Sequence, residues 1–175
     1  LMPGFTVTRG LGPGATPSNL IARGFLPEVA AEAVRIFRGG RSAASRAVKD
    51  LTESFFLRMS NIDESLVTYY TDIEFTKSKN FLLLCEDVPI GYAKLFEDKK
   101  YSLLTEIFIK EEFRELSLGT FLLNCVRDYV DKIQSSLRTV TLPSDRVAKN
   151  FYEASGITAR ILLMEEKREH NRYRP

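Results

Sequence analysis

A chain of 175 residues, 44% hydrophobic and 27% charged, has room for one domain with a real core, or for one domain and a short appendage, but not for two full-sized domains. Its net charge of +2 is too small to imply a nucleic-acid partner, and no apolar run approaches the roughly 20 residues that a membrane helix needs. Cys85 and Cys125 lie in apolar surroundings and read as small buried hydrophobes in a reducing compartment, and with His170 as the one histidine a zinc site or a Ser-His or Cys-His pair lacks material.

The chain opens without a basic segment leading into an apolar stretch and a small-residue cleavage site, so no signal peptide is expected and the expected location is cytoplasmic. Residues 3–18 contain Pro3, Gly4, Gly10, Gly12, Pro13, Gly14 and Pro17, punctuation too frequent for a regular element, which predicts an extended or looped arm. Pro27 then opens a short helix that Gly39 and Gly40 stop. A second helix is expected from Ser42 to about Met59, because Ala44, Val48, Leu51, Phe55 and Met59 recur at helical spacing. Arg35, Arg38, Arg41, Arg46 and Lys49 form a run with no acidic residue between Glu32 and Asp50; a solvated helix face is the simpler reading, an anionic partner the other. Composition shifts near residue 50 from Gly, Ala and Arg to Lys, Phe, Leu and Glu, which suggests an N-terminal segment over 1–45 and a main domain over 46–175.

From Asn80 the pattern turns strand-like. Residues 81–85 are a continuous apolar run, 86–89 a turn, 90–96 a returning strand, 97–100 a charged turn and 101–109 a third strand, an antiparallel meander. Leu118, Phe121, Leu122, Cys125, Val126, Tyr129 and Ile133 then fall on one helical stripe. Residues 138–142 read as a short strand, Asp145 caps a helix running to about Ala154, and 157–164 reads as a last strand. The order predicts an α/β (α+β) fold, a mixed and mostly antiparallel sheet with helices packed on it.

The chemistry concentrates where the strand Ile107-Phe108-Ile109 passes through a polar turn, Arg114-Glu115-Leu116-Ser117, into the helix beginning Leu118-Gly119-Thr120. A helix N-terminus presents unpaired N–H groups and the positive end of its dipole, which together favour a phosphate. Ser117, Gly119 and Thr120 are small enough to let a pyrophosphate reach the backbone, and Arg114 adds charge at the rim. Downstream, Asp145-Arg146-Val147-Ala148-Lys149-Asn150-Phe151-Tyr152-Glu153-Ala154-Ser155-Gly156-Ile157 is a capped helix that a glycine ends.

These two segments together resemble the GNAT superfamily of N-acetyltransferases over residues 60–167. Arg114 and Gly119 match the ends of that family's acyl-CoA motif, and Leu118 takes its free position; Ser117 stands where the family has its first Gly. Ala148, Phe151, Tyr152, Glu153 and Gly156 match its second motif, with Asp145 in place of Asn and Ile157 in place of Phe. The resemblance implies a sheet splayed beyond the strand ending near Ile109, with acetyl-CoA as co-substrate along Ile107, Phe108 and Ile109. Its pyrophosphate would lie on Arg114, Glu115, Leu116, Ser117, Leu118, Gly119 and Thr120, with Asn150 also on the coenzyme side. It implies Tyr152 as the acid that protonates the leaving thiolate. In a chain with one histidine, a carboxylate is the natural acceptor of an amine proton, and Glu106 is the candidate; a solvent-facing strand glutamate is the alternative.

The function expected is acetyl transfer from acetyl-CoA to a primary amine, on a small molecule or a protein, by direct attack and without a metal. A GNAT-like interaction or regulatory module without activity, or a binding protein using the basic N-terminal helix, is the alternative, and a homodimer stays open.

Overall fold

The computed structural model describes residues 5–8, 41–72, 78–85, 88–98 and 100–164. The helix expected from Pro27 and the tail 165–175 lie outside them, as do Arg35 and Arg38 of the basic run. Strand β1 (Phe5–Thr8) precedes helix α1 (Arg41–Asp63), the one-turn helix α2 (Thr68–Thr71), and strands β2 (Ser78–Cys85), β3 (Val88–Glu97) and β4 (Ser102–Ile109). Helix α3 (Leu118–Lys132), strand β5 (Leu137–Thr139) and helix α4 (Arg146–Ala154) complete the order. The five strands make one sheet in the order β1-β2-β3-β4-β5, with the inner pairs antiparallel and the outer pairs parallel. This is the mixed, helix-flanked fold expected.

Within the arm expected to be extended or looped, Phe5–Thr8 is extended and pairs as a strand at the sheet edge, where its β-branched residues suit it. One expectation needs correction. Residues 157–164 form no strand: among the described residues nothing pairs with them, and Ile161, Leu162, Leu163 and Met164 are 61–83% exposed. Apolar runs signal a strand only when a neighbour supplies a ladder, and β5 pairs with β4 alone.

The sheet is apolar on both faces because helices cover both. Phe81, Leu83, Ala93, Leu95, Leu104 and Ile109 meet Leu118, Leu122, Leu123, Val126 and Val130 of α3. On the opposite face Leu82, Leu84, Tyr92 and Phe108 meet Leu51, Phe55 and Met59 of α1, with Tyr70 of α2. Alternation alone would put Leu104, Glu106 and Phe108 on one face. The ladder pairs Lys94 with Glu106 but Leu95 with Leu104, so Thr105 is an extra residue, a β-bulge. It moves Leu104 to the α3 face while Glu106 and Phe108 stay under α1.

Close approach of β3 and β4 near the end of the ladder requires Gly91. A Cβ there would stand 2.5 Å from Ile109 Cδ1 and 2.7 Å from the Phe108 carbonyl oxygen, and the latter is backbone that cannot swing aside. Gly91→Ala is therefore expected to destabilise the fold by about 2 kcal/mol, in the range of overpacked cores, read as a lower urea midpoint with an unchanged slope.

Candidate active site

β5 pairs only with the first three residues of β4, from Ser102↔Leu137 to Leu104↔Thr139, and then departs. The fork therefore opens at the Thr105 bulge. Its root is tied by the Thr139 hydroxyl, which donates to the Leu104 carbonyl at 3.0 Å. Beyond it the Lys110 N–H still donates to the Ile90 carbonyl on the β3 side, so alternation turns the backbone groups of Ile107 and Ile109 toward the edge that β5 has left. Arg114 Nε occupies the Ile109 carbonyl at 3.0 Å, with its guanidinium 5.6 Å from the Phe108 ring centroid. Ile107 remains available to an extended ligand.

Past β4 the chain makes a single 3-10 turn, Glu111–Phe113, and enters α3 through residues of positive φ: Glu115 at 63° and Ser117 at 58°. That left-handed geometry is the physical reason a glycine suits position 117. Serine adopts it at a cost of about 1 kcal/mol, and the backbone path is kept. The first helical bond runs from the Phe121 N–H to the Ser117 carbonyl, so the N–H groups of Leu118, Gly119 and Thr120 are left over by the helix, and the Ser117 side chain caps none of them. Gly119 backs onto α4: a Cβ there would lie 3.3 Å from the Phe151 ring. Three N–H groups at the positive end of a 15-residue helix, beside Arg114, are an arrangement that favours negative charge.

Helix α4 supplies the opposite wall of the fork. Asp145 caps it by accepting from the Ala148 N–H at 3.0 Å. Gly156, at φ 78°, ends it: the Ile157 N–H returns to the Tyr152 carbonyl and the Gly156 N–H to that of Glu153. Arg127 of α3 binds the Ser155 carbonyl and fixes that end. Tyr152 is thereby held at the fork, 5% exposed. Burial pushes its phenol up to about 12, against the opposing effect of a hydrogen bond with Thr139 and with a further rise from the Asp145 charge. Asn150 is exposed on α4.

Glu106, 1% exposed, faces α1 rather than solvent. Its Oε2 accepts from the Tyr92 hydroxyl at 2.5 Å and its Oε1 from Lys94 Nζ at 3.1 Å. Burial first, and then the Glu106 carboxylate, push the Tyr92 phenol far up, so Tyr92 remains a donor. Glu106 stands between Thr105 and Ile107, both of which line a cavity of about 30 Å³ in the fork, together with Tyr70, Thr141, Asp145 and Tyr152.

Sequence reasoning missed Arg58. From α1 it reaches 87 positions along the chain to grip Asp145 with both Nη groups, at 2.7 and 2.9 Å. The signal available was Asp145 itself, since a carboxylate where the related motif has a neutral amide needs a cation once buried. Burial opposes ionisation of Asp145, but the Arg58 bond and the Ala148 N–H outweigh it and hold the carboxyl below its ordinary value. Tyr70 and Thr141, likewise unforeseen, come to the cavity from segments without a motif.

The pair makes a testable contribution. A carboxyl depressed in the folded state adds stability above its unfolded value, near pH 4, and that stability is lost as pH falls through the folded value. Arg58→Met leaves Asp145, 3% exposed, without its cation, and is expected to cost about 3 kcal/mol at pH 7. The gap to the parent should narrow as pH falls below 4, as read from urea melts at both pH values.

The profile of the acetyltransferase (GNAT) domain matches residues 47–167. Among curated proteins no significant match is found. Among solved structures, a tetramutant of BH1408 protein from Bacillus halodurans is similar at 13% identity, covering 76% of this chain and 99% of that one with a TM-score of 0.62. An aminoglycoside acetyltransferase, meta-AAC0020, from an uncultured soil metagenomic sample and in complex with sisomicin, is similar at 13% identity, with 72% and 88% covered and a TM-score of 0.55. AAC(6')-Iy in complex with the bisubstrate analog CoA-S-monomethyl-acetylneamine is similar at 16% identity, with 70% and 90% covered and a TM-score of 0.52. At these identities the likeness is one of fold. Among the described residues no helix is long and apolar enough to cross a membrane. With the profile spanning more than half of its length, the chain belongs to the GNAT acetyltransferase family.

Proposed function

We propose that the protein transfers an acetyl group from acetyl-CoA to a primary amine by direct attack. The observation that carries this reading is the fork itself: β4 loses β5 at Thr105, three uncommitted N–H groups of α3 stand at its outer end, and Tyr152 lines its inner cavity. Leu118, Gly119 and Thr120 would hold the pyrophosphate through their N–H groups with Arg114 at the rim, and Glu115, Leu116 and Ser117 shape the turn. Ile107 offers backbone groups to the pantetheine, between Phe108 and Ile109.

Tyr152 donates to the sulfur as the C–S bond breaks. The same burial that keeps its phenol protonated raises the proton affinity of a thiolate beside it, so the transfer stays matched inside the fork. Glu106 takes the amine proton by way of water; its carboxylate, oriented by Tyr92 and Lys94, lies one residue from the cavity walls on either side. Positioning in the fork supplies the rest, since attack on a thioester needs alignment more than an enzyme-bound intermediate.

Tyr152→Phe is expected to lower kcat about 100-fold, as loss of a general acid does, with acetyl-CoA affinity unchanged by calorimetric titration; an unchanged kcat would remove Tyr152 from the reaction. Gly119→Glu brings bulk against Phe151 and like charge to the anion site. It is expected to abolish acetyl-CoA binding in the same titration while the fold, followed by circular dichroism, persists; retained binding would locate the coenzyme elsewhere.

A further inference from the structure

The cavity in the fork contains a polar atom that the protein itself leaves unused. Thr141 Oγ1 is buried and makes no hydrogen bond with any described residue. Folded proteins seldom keep such a group unless something outside the chain completes it. Its neighbours are committed elsewhere: Arg58 to Asp145, Asp145 to Arg58 and the Ala148 N–H, and the Thr105 hydroxyl to the Lys94 carbonyl. Thr141 lies on the wall formed after β5 leaves, across the fork from the open stretch of β4 where the thioester would lie. The cavity it lines, about 30 Å³ in all, admits a group of the size of water or an amino group.

From this arrangement we infer that Thr141 receives the acceptor: its hydroxyl accepts one N–H of an incoming unbranched primary amine and aims the nitrogen lone pair at the acetyl carbon beside Ile107. The inference rests on the acetyltransferase reading and adds to it the residue and the kind of amine. The balance of the step is unaltered. The C–N bond forms and the C–S bond breaks, sulfur takes its proton from Tyr152, and the amine gives one proton through water to Glu106; Thr141 keeps its own. Tyr70 also lines this cavity, and a space of about 30 Å³ favours a primary over a secondary amine.

Thiol release from acetyl-CoA is followed with hydroxylamine, methylamine and dimethylamine as nucleophiles in the parent, Thr141→Val and Thr141→Ser, alongside acetyl-CoA titration and thermal melts. Expected are a parent that uses the primary amines and not dimethylamine, and a Thr141→Val protein that binds acetyl-CoA as the parent does and melts no lower. Its KM for hydroxylamine should rise at least 10-fold, with serine restoring it. A Thr141→Val protein with unchanged nucleophile KM, or with a lower melting temperature, overturns the inference, since the hydroxyl would then be idle or already partnered within the fold. So does a parent that binds acetyl-CoA but releases no thiol to any of the three. A parent that fails to bind acetyl-CoA removes the acetyltransferase reading itself, a distinct outcome.

Discussion

The departure of β5 from β4 at Thr105 is the constraint from which the rest of the structure follows. A parallel pair abandoned after three residues leaves the remaining length of β4 with backbone groups that no strand satisfies. An exposed strand edge invites pairing with whatever arrives, and a protein that keeps one must cover or control it. Here the edge is flanked by α1 on one side and α4 on the other, and it ends at the N-terminus of α3, whose first N–H groups the helix leaves over. The Thr105 bulge coincides with the departure point. By shifting the phase of β4 it sends Leu104 to the α3 core while Glu106 stays under α1, where Tyr92 and Lys94 orient its carboxylate.

A fork of this kind tends to close or to spread unless both walls are held. Thr139 ties the root through the Leu104 carbonyl, and Arg58 ties α1 to the cap of α4. The second tie uses a buried charge, and desolvating two ions gains little net stability. What it gains is position: a bidentate guanidinium–carboxylate contact fixes distance and plane together, and it acts on the residue that begins the helix bearing Tyr152. An amide at position 145 would cap the helix equally well but offer Arg58 one acceptor oxygen in place of two. The charge thus converts a local cap into a link between layers.

How far the sequence revealed this follows from how local each feature is. The helical stripe of α3, the meander β2 to β4, the Asp145 cap and the Gly156 stop were legible because periodicity, capping and turn chemistry are written within a few residues. Two short motifs at a fixed separation pointed to the family that the profile match shows. What escaped depends on partners far along the chain: the Arg58 grip on Asp145, the Tyr92 and Lys94 bonds that orient Glu106, and the cavity that joins Tyr70 to Thr141. The strand expected at 157–164 failed for the same reason, since an apolar run does not say whether a neighbour is there to pair with it. The bulge at Thr105 was also invisible, because the sequence through it, Leu104-Thr105-Glu106, is an ordinary strand sequence.

Ser117 bears on whether the site is intact or degraded. A substitution that destroyed the phosphate turn would be expected to push residue 117 out of the left-handed region, since a serine side chain disfavours it. Instead Ser117 holds φ 58°, Glu115 beside it holds 63°, and the helix still begins with the N–H groups of Leu118, Gly119 and Thr120 uncommitted. Two such residues in a row of three persist only if the surrounding packing holds them there. Leu116 and Phe113 against the α3 core, and Arg114 on the Ile109 carbonyl, provide that hold. The strain at this helix N-terminus is thus held by local packing, and the backbone path of the turn survives the exchange of glycine for serine at position 117.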